Sequence, residues 1–568
     1  MIRSLPNLTS RITFPTMSTN VNNLPRLPIP GLQDTISRYL KSVSAIADQA
    51  TYDHQVQLTS KFLSTSAPLL HSSILTTDSL NSRNLLSSPS NSYIESHWND
   101  MYLEGRWSLP VNSNPFYLLE NWKGLDQVAE LTWKIVKWGQ MTKSKGLIDD
   151  SGCQQSYPLT VGTSRHPHLK GRDYLQTHNL CTPHVVVVKN SKFYKLPLNS
   201  LSSMKENFKV IYDLSEGEDV CVGVGTGLSR DDWGELRGSL GNEVAFHDID
   251  SAAFIVCLDE HNQGMNENEE SRNMLASVGN RWYDKHQLIL LGNGEIGFNW
   301  EHSFSDGMIW NRLIQDCETL EFEDTGGEGG FEEVKFSFDE KQKEDIKEAE
   351  NKVTKELEAC NHNHLQGSFG KDVLKTWKVS PDASMQMAYQ LAYYKMHGSV
   401  PPVYESCATR NFWRGRTETI RSATVESKDF VESFLNDNIS DDAKREAFQI
   451  AAARHVEIAG EAKQGLGVDR IFLALEKEAE RMGVDVELFN SDVYKESKSW
   501  KLSTSNVSHP SLKRFGFGPV VGDGYGLGYL VGGESFSVNV TNFEGGGTDG
   551  ERMKGEIMGA IEGLRKLF

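Results

Sequence analysis

The stretch that most restricts the fold runs from Gln287 to Cys317, QLILLGNGEIGFNWEHSFSDGMIWNRLIQDC. Two apolar runs flank Asn293-Gly294, a pair suited to a type I′ turn, so Gln287–Trp300 reads as a β-hairpin. Apolar residues at 310, 313, 314 and 317 then recur with helical spacing. A strand that passes into a helix within a few residues points to an α/β layer. It also puts His302 at the end of a strand, beside a strand-to-helix turn.

The same mixture runs along the rest of the chain. HVVVVKN, VCVGVG and AAFIVCL, between 184 and 258, read as strands, whereas 31–100 reads as helices with polar breaks. Residues 339–359 form a highly charged helix, and 383–396, 441–464 and 470–482 read as further helices. Glycine-rich strands are expected over 515–541 and a helix over 550–567. The acidic, glycine-rich 321–333 reads as a linker. With 568 residues, a two-domain α/β protein is the expectation, divided here into 1–23, 24–100, 101–342 and 343–568.

The formal charge of −19 argues against a nucleic-acid partner, which needs a basic face. A local lysine cluster can still take a phosphate, because distant charges are screened. No run reaches the 18 or so apolar residues of a membrane span. The seven cysteines are odd in number and irregularly spaced, which suits free thiols in a reducing compartment. CNHNH (Cys360–His364) reads as a solvated turn, and no metal is expected. The N-terminus carries Arg3, Arg11 and Arg26 and no acid before Asp34, a composition shared by mitochondrial transit peptides and by plain disordered termini.

Several stretches carry chemistry. EHSFSDG offers His302 as a base near neutral pH, with Asp306-Gly307 fitting a tight turn; read alone, a buried core histidine fits equally. GKDVLKTWKVSPD puts Lys371 and Lys375 on one helix face, which suits a phosphate or an ordinary surface helix. Tyr404–Thr424 gathers a phenol, hydroxyls and four arginines, the donors a small carboxylate needs, or a polar loop with internal ion pairs. The hydroxyls of LSTSNVSHP can donate to a developing oxyanion. VGVGTG lacks the third glycine of a dinucleotide loop.

In order along the chain, LPRLPIPGLQDTISRYL, SHWNDMYLEGRWSLPVNSNPF, NRWYDK, EHSFSDG, the lysine segment, YES…GRTETIRSAT, STS and GFGPVVGDGYGLGY together resemble the carnitine/choline acyltransferase family. The wording of the first signature and of NRWYDK…FNWEHSFSDG is nearest to its mitochondrial palmitoyl-transferring members. The resemblance implies two similar domains of the chloramphenicol acetyltransferase type with an active-site tunnel between them, residues 24–100 packing with the C-terminal domain. It implies His302 as general base, Asp306 as its supporting acid and Ser505 as the oxyanion-side hydroxyl. Lys371, Lys375 and Asp382 fall on CoA-contact positions. Tyr404, Ser406, Thr417 and Arg470 fall on positions that hold carnitine's carboxylate, with Ser503 beside Ser505. Acyl-CoA and L-carnitine are the implied co-substrates, with no tightly bound cofactor, in the mitochondrial matrix; peripheral contact with the inner membrane and the oligomeric state stay open.

Carnitine carries a carboxylate that choline lacks, and Thr417-Glu418-Thr419 with Arg470 matches the carnitine pattern. In the family, glycine at the acyl gate goes with medium and long chains and a bulky residue with acetyl. Here Phe515 stands at the gate, followed by Gly516, so the gate and the palmitoyl-like wording disagree. The long-chain expectation is kept, with a short-chain carnitine O-acetyltransferase as the alternative. The segment 147–184 is shorter than the family's usual one, and a non-catalytic acyl-CoA or carnitine binder is the alternative of another class.

Overall fold

The computed structural model describes residues 24–82, 92–145, 152–215, 217, 220–324 and 326–568. The expected N-terminal segment 1–23 and most of the polar break 87–92 lie outside the described residues. Two large sheets organise the molecule. The first has eight strands in the order Leu512–Gly516, Phe116–Lys123, Glu295–Asn299, Gln287–Leu290, Ile255–Leu258, His184–Lys189, Lys192–Pro197 and Glu332–Glu333. The second has six, in the order Cys360–Gly367, Phe536–Phe543, Tyr525–Val531, Leu502–Asn506, Val403–Ala408 and Thr417–Ile420. Both are flanked by helices, so the mixed α/β class holds.

The run HVVVV is a strand of the first sheet, parallel to Ile255–Leu258. Val185 and Val187 face one hydrophobic cluster while Val186 and Val188 face another, all at 0% exposure. An uninterrupted apolar run is what a strand covered on both faces needs. The hairpin forms, but with a different turn. The Gly294 N–H donates to the Leu291 carbonyl and the Leu291 N–H to the Glu295 carbonyl, with Gly294 alone at positive φ, +88°. A type I′ turn needs positive φ at both central residues, and Asn293 does not supply it. Gly292 is the reason for the longer loop: a Cβ there would lie 2.0 Å from the Glu260 carbonyl oxygen.

Two other expectations change. VGVGTG is a buried 3-10 turn (Val222–Gly227), not a strand; a Cβ on Gly225 would meet the Trp233 ring at 2.2 Å, so its glycines serve packing. CNHNH is a strand at the edge of the second sheet with His362 and His364 buried, not a solvated turn.

The chain does not keep to a linear division at residue 342. After Leu502–Asn506 in the second sheet it crosses to the first, where Leu512–Gly516 pairs antiparallel with Phe116–Lys123, then returns as Tyr525–Val531. The crossing strand lies on the face of the second sheet. A Cβ on Gly528 would meet the Phe515 carbonyl at 2.7 Å and Gly516 Cα at 2.8 Å; only glycine admits that approach. The helices between Leu32 and Ser82 share a cluster with Val468, Phe472, Leu475 and Tyr494. Among the described residues no helix is long and apolar enough to cross a membrane.

Candidate active site

His302 stands between the strand Glu295–Asn299 and the helix Gly307–Thr319, as the strand-to-helix pattern requires. Its Nδ1 lies 2.8 Å from the Ser305 carbonyl oxygen. A carbonyl can only accept, so Nδ1 carries the proton and Nε2 keeps its lone pair. Burial lowers the imidazole's pKa from its ordinary value; Asp306 pulls it up and Arg416 pushes it further down. The ring is therefore neutral at pH 7, the state a general base needs. Its side chain keeps 27% exposure, so it is walled in without being sealed.

Asp306 Oδ1 is 3.9 Å from His302 Nδ1, too far for a hydrogen bond. Although it sits at the N-cap of its helix, it makes no capping bond. Both oxygens go instead to Arg416, at 2.7 and 2.9 Å, the bidentate geometry that suits a guanidinium. Arg416 also donates to the carbonyls of Ser303 (2.8 Å) and His302 (3.2 Å) and to Asn99 (3.1 Å). One arginine from the turn before Thr417–Ile420 thus ties the histidine loop to the second sheet.

The helix Glu95–Glu104 supplies an aromatic wall. Trp98 and Tyr102, four apart, share a face, with ring centroids 5.7 Å apart. Tyr102 lies 5.3 Å from the His302 ring. At the other end, the Arg470 guanidinium stacks 3.7 Å over Trp98, a close cation–π contact. Arg470 reaches the Thr417 carbonyl (2.7 Å), Thr417 Oγ1 (3.1 Å), Thr419 Oγ1 (3.4 Å) and the Tyr404 hydroxyl (3.5 Å). Only 5% exposed, it makes no ion pair among the described residues. A buried cation held by neutral oxygens is a receptor for an anion. On the reverse face of the same strand, burial lifts the Glu418 carboxyl to about 7.

Register puts the hydroxyls in line. Across the second sheet His364 pairs with Asn539, Asn539 with Gly528, and Gly528 with Ser505. Ser505 Oγ is 2.9 Å from Ser406 Oγ, and Ser406 pairs with Thr419. Ser503, opposite Tyr404, lies in the next row. Alternation makes Ser406, Ser503 and Ser505 share a face with Tyr404.

Lys371 and Lys375 are exposed on the short helix Lys371–Thr376 and have no ion-pair partner among the described residues. Asp382 has partners of its own. Its Oδ1 accepts from Tyr529 (2.6 Å) and Asn506 (2.8 Å), and it adjoins Glu405 and His455, the one set of potential metal ligands that converges among the described residues. Glu405 already accepts from His455 Nε2 (2.7 Å) and Ser422 (2.9 Å), and burial pushes its carboxyl up to about 7. The two carboxylates of the set have hydrogen-bond donors, whereas the buried His455 Nδ1 has no hydrogen-bond partner among the described residues.

The two gate residues point to opposite faces. The Phe515 ring packs 5.5 Å from Tyr117 and 5.6 Å from Phe517; Tyr117 packs on Trp300, whose ring is 6.5 Å from His302. A Cβ on Gly516 would instead meet Asn539 and Phe116 at 2.5 Å. A cleft of about 660 Å³ is lined by Met101, Glu104, Trp107, Leu473 and Phe489 rather than by these residues.

Residues 27–558 match the family model for choline/carnitine O-acyltransferases. The chain belongs to that family. It is 29% identical to a mitochondrial carnitine O-palmitoyltransferase 2 of Macaca fascicularis, over 94% of this chain and 90% of the relative. It is 30% identical to a putative mitochondrial carnitine O-acetyltransferase of Saccharomyces cerevisiae, over 92% and 90%. It is also 30% identical to the muscle isoform of human carnitine O-palmitoyltransferase 1, over 96% and 77%. The ordered motifs thus identified an acyltransferase. Sequence reasoning quoted the motifs that hold Arg416, Trp98, Tyr102 and Glu301 but gave none of the four a role of its own. The aromatic pair was visible in SHWNDMY as two rings four residues apart, Arg416 was one of four arginines in Tyr404–Thr424, and Glu301 opens EHSFSDG.

Proposed function

We propose that the chain is a carnitine O-acyltransferase that moves acyl groups reversibly between CoA and L-carnitine. The single observation that carries this is Arg470, a buried guanidinium in no salt bridge among the described residues, joined to His302 through Trp98 and Tyr102. An acceptor whose carboxylate pairs with Arg470 and the hydroxyls of Tyr404, Thr417 and Ser406 is one whose own hydroxyl reaches toward the imidazole. His302 Nε2 takes that proton as the oxygen attacks the thioester carbonyl. The oxyanion of the tetrahedral intermediate lies toward Ser505, with Ser503 beside it, and is stabilised as oxyanions are by preorganised donors. Collapse breaks the carbon–sulfur bond, and the imidazolium returns its proton to the CoA sulfur. Asp306, clamped by Arg416, holds a fixed negative charge near the ring. Lys371 and Lys375 meet CoA phosphates, and Asp382 borders the CoA side.

For chain length, Phe515 favours short acyl groups over the palmitoyl-like expectation, because its ring fills the side of the sheet that leads past Trp300 to His302. A rate profile from acetyl- to palmitoyl-CoA with L-carnitine, read by thiol release, tests both statements. No carnitine-dependent release with any thioester sinks the function. A maximum at palmitoyl sinks the short-chain assignment. A mitochondrial location fits the arginine-bearing composition before Asp34 and the word mitochondrial in the names of two of these relatives.

A further inference from the structure

We infer that Arg165 is a positioning residue for His302, gripping both walls of the imidazole through one guanidinium. The inference rests on the reading of His302 as the base. Arg165 lies on the short strand Thr163–His166, in the segment whose brevity set this chain apart. It is 0% exposed. Its Nη2 donates to the Tyr102 carbonyl at 2.7 Å, and the Tyr102 ring faces His302. Its Nη1 donates to Glu301 Oε1 at 3.0 Å, the residue before the histidine.

Glu301, itself 0% exposed, folds the loop beyond the histidine. It accepts the Ser303 N–H (3.1 Å) and the Ser303 hydroxyl (2.6 Å), and its own N–H donates to His286 Nδ1. The third donor of Arg165, Nε, goes to Asp173 Oδ2 at 2.8 Å. Asp173 also takes Arg230 Nε at 2.6 Å and Arg106 at 2.9 Å, and Arg230 reaches Asp284 at 2.7 Å. A buried charge paired on every side holds its geometry, because any displacement leaves a desolvated ion unmatched. Arg165 fixes the distance between the Tyr102 wall and the histidine loop, the kind of alignment that decides whether bound reactants meet productively.

The charged and titratable groups around His302 are Asp306 and Glu301 on its own loop, Arg416 from the second sheet and Tyr102 from the helix. Glu301 raises the imidazole's proton affinity, and Arg165 pairs with that carboxylate at 3.0 Å. The test is steady-state kinetics from pH 5 to 9 on the full chain with acyl-CoA and L-carnitine, for wild type, Arg165→Met, Arg165→Lys and Glu301→Gln. Expected for Arg165→Met is a fall in kcat of tenfold or more, both KM values within twofold, and the acid limb of kcat/KM displaced to higher pH. Glu301→Gln displaces that limb to lower pH. Should Arg165→Met fail to fold, Arg165→Lys and Glu301→Gln decide. Lysine keeps the charge but cannot span Tyr102, Glu301 and Asp173 together, so kcat falls at unchanged KM. A kcat for Arg165→Lys within twofold of wild type, or an acid limb unmoved in Glu301→Gln, overturns the inference. If His302→Ala turns over like wild type, the base assignment fails and this inference with it. If His302→Ala is dead and the Arg165 variants are unaffected, only this inference fails.

Discussion

The histidine loop and the acceptor wall face each other but handle charge in opposite ways. Around His302 the ions are closed on themselves: Arg165, Asp173, Arg230, Asp284 and Glu301 pair with one another, and Asp306 pairs with Arg416. At the acceptor wall Arg470 has hydroxyls, a carbonyl and a tryptophan face, and no salt bridge among the described residues. A buried charge paired with opposite charges holds a geometry in place; one held only by neutral groups can still take an anion. On the proposed reading, one side holds the base still and the other receives the acceptor's anion.

The largest test of that contrast is His302→Ala. It should lower kcat by about 10³-fold or more, within the range general base catalysis supplies, while acyl-CoA binding measured by calorimetry stays within a few-fold. Next is Arg470→Asn. A charge-assisted carboxylate contact contributes about 1.5–3 kcal/mol, so KM for L-carnitine should rise about 10- to 100-fold. KM for acyl-CoA should stay within twofold, and equal effects on both would erase the distinction between the two sides. Phe515→Gly should change the ratio of long- to short-chain rates by about tenfold, since a methylene or two in an apolar pocket contributes about 1–3 kcal/mol. An unchanged chain-length profile would move the gate elsewhere. The smallest effect is in pH. Because burial and Arg416 lower the His302 pKa from its ordinary 6.5, activity should be full above that value and fall only as pH drops below it. An acid midpoint above 6.5 in the kcat/KM profile would contradict a desolvated ring.

Much of the site was legible because each motif is local. Lys371 and Lys375 are four apart on one helix, and Ser503 and Ser505 are two apart on one strand. Short-range periodicity fixes such relations whatever the tertiary fold. His302 at a strand-to-helix turn was legible for the same reason. The turn type at Asn293 was not, because Glu260, far off in sequence, excludes a side chain at 292. CNHNH was misread because what buries it is the neighbouring strand Phe536–Phe543 and the helix Glu267–Leu275, which no local pattern announces.

The sequence by itself determined the family and the α/β class, and it placed the residue types that the proposed reading assigns to acyl-CoA and an acid-bearing alcohol. Periodicity and motif order are properties of the chain alone. Only the tertiary structure decided that Leu512–Gly516 leaves its own half to edge the first sheet, turning Phe515 toward the histidine side and Gly516 away. It alone brought Arg416 to Asp306, Trp98 beneath Arg470, and Arg165 between Tyr102 and Glu301. Those pairs are separated by 110, 372, 63 and 136 residues respectively. Their contact follows from burying charge where it must find a partner, which the folded chain settles as a whole.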